Sequence, residues 1–123
     1  MTLPPIPFAE IAALAARNGR TICERWLPGG RAEGHEWVAL NPTRVDNSLG
    51  SFRINLRTGK WADFATGDKG GDFVSLYKFL AGCSVVEAAR TVAGMVGHPF
   101  GDTHDRLATH RDASGRQRGD SDL

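Results

Sequence analysis

The sequence predicts a small α+β domain in which a three-stranded antiparallel sheet is flanked by N-terminal and C-terminal helices. An alanine-rich segment near the N-terminus repeats apolar residues with helical spacing. Residues 52–57 alternate apolar and polar side chains, as a half-buried strand does. Two further apolar segments, each preceded by a capping residue and followed by glycine, come after residue 71. Helices, then strands, then helices are typical of the α+β class.

The N-terminal segment predicts two helices. In residues 8–19 the apolar side chains share one face, and Gly19 is placed at the C-terminal stop. Residues 20–27 are ambiguous, but the spacing of their apolar residues favours a second helix that ends before Pro28. A first strand is then predicted at residues 37–40, followed by a loop over residues 41–50.

A hairpin is the clearest pattern in the chain. Residues 52–57 form its first strand, Thr58-Gly59 its turn, and residues 60–64 the returning strand. We expect Arg57 to lie opposite Lys60, which turns Trp61 toward the core.

Two capped helices are predicted to end the domain. Asp72 caps a helix that stops at Gly82, and Ser84 with Glu87 forms a capping box for a final helix that ends at Gly97. Residues 67–72 (GDKGGD) lack the order of a nucleotide P-loop. Their paired glycines could present N–H groups to one phosphate, but Asp72 would compete for those donors. A strand-to-helix turn is therefore the favoured interpretation.

Composition limits the classes of function. Lys and Arg number 15 against 14 Asp and Glu, so any nucleic-acid site must be a local patch. No segment approaches the ~18 apolar residues that span a bilayer, and the first residues lack a signal-peptide pattern. We therefore expect a cytoplasmic protein with no membrane partner. Residues 101–123 hold four Arg, five Asp and no aromatic residue, which predicts a disordered polar tail after a domain of residues 1–100.

The pattern favours a binding module over an enzyme. The four histidines form no helical i,i+4 pair, and two cysteines are too few for a four-cysteine zinc site. The acidic residues are scattered, unlike the clustered carboxylates that hold two metal ions for phosphoryl transfer. We expect no catalytic residue, no metal and no cofactor.

One face of the predicted hairpin gathers cations and one aromatic ring. Its members are Arg53, Asn55, Arg57, Lys60 and Phe64, with Lys69 at the rim. Cations at strand spacing can follow a phosphate backbone, and a ring among them can stack on a base. Antiparallel sheets also commonly leave one face in solvent, so the pattern alone leaves a nucleic-acid face and a solvated face equally open. We expect Arg53 and Arg57 to be exposed, and about three or four phosphates to be contacted.

Several motifs follow one another in a fixed order between residues 37 and 97. They are NPTR at 41–44, GSF at 50–52, KWADFATG at 60–67 and KGGD at 69–72, then a helix with Ser84, Glu87, Ala88 and Ala89. In this order they resemble the N-terminal zinc-ribbon domain of bacterial primases, especially the form in phage and plasmid primase–helicase proteins. Zinc-bearing members of that family read C-P-x-H at the first motif and C-F-x-C-G at the third, with G-G-D opening the helix.

This chain departs from the family at every zinc ligand. Asn41, Arg44, Asp63 and Thr66 stand at those four positions. We therefore expect a metal-free ribbon in which Arg44 and Asp63 form an ion pair, with Asn41 and Thr66 hydrogen-bonded nearby. Such a pair fixes geometry more than it adds net stability. Charged groups more than about 6 Å apart would contradict this expectation, because direct contact needs about 4 Å or less.

The resemblance implies a role in replication. Such domains help a primase engage single-stranded template, while synthesis takes place in a separate catalytic domain. Our leading hypothesis is a single-stranded DNA-binding module of a primase-type protein from a phage or mobile element, with a primase or helicase catalytic subunit as a further candidate partner. The alternative is a mobile-element protein-interaction module, or an inhibitor that docks on a host replication or defence complex such as a CRISPR effector.

Overall fold

Four helices surround one side of a five-stranded antiparallel sheet in the computed structural model, which describes residues 5–45 and 49–101. The elements in chain order are α1 (Phe8–Arg17), α2 (Gly19–Trp26), β1 (Arg31–Glu33), β2 (Glu36–Ala39), β3 (Phe52–Asn55), β4 (Trp61–Asp63), β5 (Lys69–Gly70), α3 (Phe73–Ala81) and α4 (Val85–Val96). The strands lie side by side in chain order. The α+β class is confirmed. The predicted polar tail, residues 101–123, lies outside the described residues except for Gly101.

The prediction of three strands was wrong, because a short strand lies at each edge of the sheet. β1 has three residues, two of them exposed, and pairs with β2. β5 has two residues, one of them glycine, and pairs with β4. Neither segment shows alternation over the four or more residues that a sequence pattern needs. Pairing with a longer neighbour, not intrinsic propensity, makes them strands.

The register of the central hairpin differs from the prediction by two residues. Asn55, not Arg57, lies opposite Lys60, and Ile54 lies opposite Trp61. The reason is the turn, which occupies residues 56–59 because the Asn55 side-chain oxygen accepts the N–H groups of Arg57 and Thr58, at 2.8 and 3.1 Å. A shift of two residues keeps every strand side chain on its predicted face.

The helix ends of α3 and α4 follow the sequence. Asp72 accepts a hydrogen bond from the Ser75 N–H, Ser84 accepts one from the Glu87 N–H, and the helices end at Gly82 and Gly97. Gly19 was predicted as a stop but is instead the first residue of α2. A side chain there would collide with the Leu56 carbonyl oxygen, so the glycine is needed for close packing of α2 on the hairpin turn.

The core lies between the helices and the inner face of the sheet, which carries Trp37, Phe52, Ile54 and Trp61. Trp61 is buried, as predicted, but its ring neighbours are Phe79, at 4.6 Å between centroids, and Phe52, at 6.1 Å. Its indole N–H donates to the Ser75 hydroxyl at 3.3 Å, which attaches β4 to the first turn of α3.

In the described part of the chain, no single helix combines the length and apolarity needed to cross a membrane. α3 and α4 meet the criterion only as a pair, and their axes are bent by 116° at the break between them.

Two glycines with nearly the same positive φ offer a test of the packing between the turn and α3. Gly59 has φ +81° and Gly67 has φ +87°, but a Cβ at Gly59 would lie 2.5 Å from Phe73 Cδ2, whereas one at Gly67 meets nothing within 4 Å. We expect Gly67→Ala to lower the free energy of unfolding by about 1–2 kcal/mol, the cost of a left-handed alanine. Gly59→Ala should lose about 1–3 kcal/mol more because of overpacking. Urea denaturation measures both, and equal losses would contradict the packing described.

Candidate nucleic-acid interface

The strand register arranges the outer face of the sheet, opposite the helices, in two rows of cross-strand neighbours. The first row runs Arg31, Val38, Arg53, Ala62, Lys69, and the second runs Glu33, Glu36, Asn55, Lys60. Phe64 extends the same face one position beyond β4, where its N–H donates to the Ser51 carbonyl at 2.8 Å. Side chains two residues apart on a strand share a face, so Lys60, Ala62 and Phe64 form a column.

A groove of about 640 Å³ lies on this face, and Ala62 is at its floor. Ala62 has Arg53 and Lys69 beside it on the neighbouring strands, and Lys60 and Phe64 before and after it on its own. Every one of these four neighbours is longer than alanine, so the centre of the face is hollow. The residues that line the groove are Glu36, Arg53, Asn55, Lys60, Trp61, Ala62, Phe64, Lys69, Gly70 and Gly71.

Five of the six residues predicted to bind nucleic acid line this groove, and Arg57 does not. Arg57 lies in the exposed turn beyond β3, because the two-residue shift in register moves it past the end of the strand pair. Asn55 lines the groove, but its side-chain oxygen holds the turn together through the Arg57 and Thr58 N–H groups. The role of Asn55 is therefore at least partly structural.

The charge of Arg53 is already matched within the sheet, which corrects the expectation that it is an exposed cation. Its guanidinium lies 3.0 Å from Glu36 and 3.4 Å from Glu33, and its Nε donates to the Gly50 carbonyl at 2.9 Å. Arg31 also contacts Glu33, at 2.7 Å. The hydrogen bond from Arg31 is the main reason that the pKa of Glu33 is lowered, and the hydrogen bond to Glu36 raises the pKa of Arg53. The β1–β3 half of the outer face is thus close to charge-neutral.

The β4–β5 half of the outer face carries uncompensated positive charge. Lys60 and Lys69 are exposed, and neither has an ion-pair partner among residues 5–45 and 49–101. Phe64 lies on the same groove, at the opposite end of the β4 column from Lys60, and 73% of the residue is exposed. We call Lys60, Phe64 and Lys69 the cationic rim. Cationic side chains and an exposed aromatic ring on one groove are a common combination for binding nucleic acid.

Behind the cationic rim, the Asp63 carboxylate is completely buried and holds two loops together. Arg44 Nε lies 3.0 Å from Asp63 Oδ2, and Asn41 Nδ2 donates to the same oxygen at 2.8 Å. The Ala65 N–H donates to Asp63 Oδ1 at 2.9 Å. We call this cluster the Asp63 joint, and it confirms the predicted contact of Arg44 with Asp63 and the nearby hydrogen bond of Asn41.

The expected contribution of the Thr66 side chain to this cluster was wrong. Its hydroxyl donates to the Asp68 carboxylate at 2.9 Å, and only its backbone N–H reaches the Asp63 carbonyl, at 3.3 Å. The turn that begins at Asp63 directs the side chain of Thr66 outward, so it is exposed.

Burial alone would raise the pKa of Asp63, but its donors reverse the shift. The hydrogen bonds from Arg44, Asn41 and the Ala65 N–H, together with the charge of Arg44, hold that pKa at about 2, below the usual 3.8. The carboxylate is therefore ionised and fully hydrogen-bonded at neutral pH.

The Asp63 joint also positions the aromatic ring of the cationic rim. Phe64 follows Asp63 directly, and its N–H is held by Ser51, whose hydroxyl accepts a hydrogen bond from Arg44 at 3.2 Å. The backbone at Phe64 is thus fixed from both sides while its side chain stays in solvent.

The sequence pattern predicted Phe64 as a site residue but not Glu33 or Glu36. The proximity of these two carboxylates to Arg53 depends on strand pairing, which no local pattern displays.

The turn before α3 does not offer the phosphate site that paired glycines could have formed. The Asp72 carboxylate accepts the Ser75 N–H at 2.9 Å, so the first turn of α3 already has an anionic cap. The interpretation of residues 67–72 as a strand-to-helix connection is consistent with this geometry.

The Asp63 joint predicts a specific loss of stability in acid. Because the folded pKa of about 2 lies below the unfolded value of about 3.9, this group stabilises the fold above about pH 4 and ceases to do so as the pH falls through 2. Asp63→Asn should lower the free energy of unfolding by about 2–4 kcal/mol at pH 7, since Arg44 loses its counter-charge. The loss between pH 4 and pH 2 should be smaller in the variant.

Asp68→Asn is the matched control, because Asp68 is exposed in the same loop and contacts only Thr66 among the described side chains. Its effect should stay within about 0.5 kcal/mol. Urea denaturation at pH 7, 4 and 2.5 measures all three proteins, and similar losses for the two variants would contradict the role given to Asp63.

In the ranges that the structure describes, no three His, Cys, Asp or Glu side chains lie close enough together to hold a metal ion. The chain matches no protein-family model, and no curated protein sequence is significantly similar to it.

Proposed function

We propose that this protein binds single-stranded DNA on the outer face of its sheet, through the groove and the cationic rim. The observation that carries the proposal is the hollow at Ala62, which is bordered by one exposed aromatic ring and by two lysines that have no ion-pair partner in the described part of the chain. Lys60 and Lys69 would contact phosphates, and the ring of Phe64 would stack on a base. In this proposal the three residues bind the DNA strand and form or break no covalent bond in it.

The exposed ring favours a single strand over a duplex. A ring that projects from a sheet can stack only on a base whose face is free, as bases in a single strand are. At Ala62 the groove lies between Arg53 on β3 and Lys69 on β5, so its side walls there stand about 10 Å apart, the width of two strand spacings. One unpaired base with its sugar fits such a space, whereas a double helix does not enter it.

The pairing of Arg53 and the position of Arg57 reduce the expected electrostatic contribution. With two lysines contacting phosphates instead of three or four cations, the logarithm of affinity should fall with the logarithm of salt concentration with a slope of about −1.4. Stacking on Phe64, worth about 1–3 kcal/mol per base, then becomes the larger part of the affinity. The interaction should be modest in strength and only moderately sensitive to salt.

The Asp63 joint supports the likeness to primase zinc ribbons. Three of the four residues at the positions of the family's zinc ligands, Asn41, Arg44 and Asp63, meet at one point, as metal ligands would. We infer a metal-free ribbon of the primase type that assists a catalytic subunit by holding template strand. The five-stranded sheet extends the expected scaffold by one short strand at each edge.

A second candidate function, protein docking, is favoured by the other half of the same face. That half is charge-balanced, and at its end Leu40 is 45% exposed. A host replication or defence complex would be the partner. The two functions separate in one titration: a docking module would leave DNA free at low salt, whatever protein complex it forms.

Titration of a fluorescent single-stranded 12-mer tests the proposal. Lys60→Ala and Lys69→Ala should each weaken binding severalfold and reduce the salt slope by about 0.7. Phe64→Ala should weaken it about 5- to 100-fold and leave the slope unchanged. Ala62→Leu, which fills the floor of the groove, should weaken binding without removing any charge.

Arg57→Ala is the control for these variants, because it removes the same charge from the same hairpin outside the groove. Its affinity should stay within about twofold of the unmodified protein, as expected for an exposed substitution away from the site. Equal effects of Arg57→Ala and Lys60→Ala would mean that binding follows net charge and would contradict the groove. Thermal denaturation confirms that each variant is folded.

A further inference from the structure

The lining of the groove includes one carboxylate, although its other charged side chains are all cationic. Glu36 lies in the row that continues through Asn55 to Lys60, and 43% of its side chain is exposed. Its Oε1 is 3.0 Å from Arg53 Nη1, and no described residue donates a hydrogen bond to Oε2. The groove thus has two lysines, Lys60 and Lys69, and, about two strand spacings from Lys60, a carboxylate oxygen on β2.

This asymmetry orients any strand that occupies the groove. A phosphate is attracted to the lysines and not to the charge-balanced pair of Glu36 and Arg53, so the backbone follows the cationic rim. The base then extends across Ala62 toward Glu36 and Arg53. The polar edge of the base, and not the phosphate, meets the carboxylate.

Glu36 is also the main acceptor that the groove offers to a base. Among the lining side chains, only those of Glu36 and Asn55 carry an acceptor oxygen, and the Asn55 oxygen is engaged by two N–H groups of the turn. The guanidinium of Arg53, which could donate to a base, is held by Glu36, Glu33 and the Gly50 carbonyl. A carboxylate accepts hydrogen bonds and does not donate them.

We propose that Glu36 is a base-selecting residue, which favours bases with an exocyclic amino group, such as cytosine, over thymine. The inference rests on the proposed binding of single-stranded DNA. Cytosine presents an amino group at position 4, which donates to a carboxylate, whereas thymine presents a carbonyl oxygen there and the two acceptors repel. The two pyrimidines have nearly the same size, so the groove discriminates between them by hydrogen bonding and not by shape.

The test compares binding of dC12 and dT12 at pH 7.5 to three proteins: the unmodified chain, Glu36→Gln and Glu33→Gln. The unmodified protein should bind dC12 at least about fivefold more tightly than dT12, the lower end of what one good base contact provides. The ratio should not change with salt concentration, because both strands carry the same phosphates. In Glu36→Gln the ratio should fall to within about twofold, since an amide donates to thymine as well as it accepts from cytosine.

Glu33→Gln is the matched control. It removes the same charge from the same pairing with Arg53, but Glu33 does not line the groove, so the preference for dC12 should persist. Collapse of the ratio in both variants would assign the effect to general electrostatics and overturn the proposal. Measurable but equal binding of dC12 and dT12 by the unmodified protein would overturn it while leaving single-stranded DNA binding intact. Binding of neither strand at low salt would overturn both.

Discussion

A carboxylate sealed from water requires hydrogen-bond donors, and this requirement at Asp63 organises one end of the sheet. Arg44, Asn41 and the Ala65 N–H supply those donors from the loop after β2 and from the turn after β4. Val45 of the first loop and Phe64 of the second are largely exposed, and the carboxylate is the point at which the two loops meet. A buried ion pair of this kind adds little net stability but excludes other arrangements of the loops. Phe64 directly follows Asp63 in the chain, so the hydrogen bonds of Asp63 also restrict the backbone position of Phe64.

The outer face of the sheet shows how strand register distributes charge. Arg31, Glu33, Glu36 and Arg53 neutralise one another across β1, β2 and β3, whereas no carboxylate of the sheet reaches Lys60 or Lys69. The division of the outer face into a charge-balanced half and a cationic half therefore follows from strand pairing. The net charge of the chain, which is close to zero, gives no sign of this division.

Local signals determined most of what could be predicted. The caps at Asp72 and Ser84, the alternation in β3 and the apolar spacing of the helices act over a few residues, and the structure follows them. The predicted sheet face of each strand residue is also correct despite the error in register, because side chains on a strand return to the same face every two residues. That is why five of the predicted binding residues still lie on one groove.

The remaining features depend on contacts between distant segments. β1 and β5 are too short to show a pattern and become strands only beside their neighbours. The carboxylates that pair with Arg53, those of Glu36 and Glu33, lie 17 and 20 residues earlier in the chain. A local sequence pattern therefore does not show that they are neighbours of Arg53. Thr66 differs for a more local reason: the turn after Asp63 directs its side chain outward, where its hydroxyl donates to Asp68 at 2.9 Å.

The composition of the Asp63 joint has a kinetic consequence for assembly. The bonds described for it connect groups of one polypeptide, so they form in a unimolecular step whose rate does not depend on protein concentration. Dilution of the protein therefore does not open them.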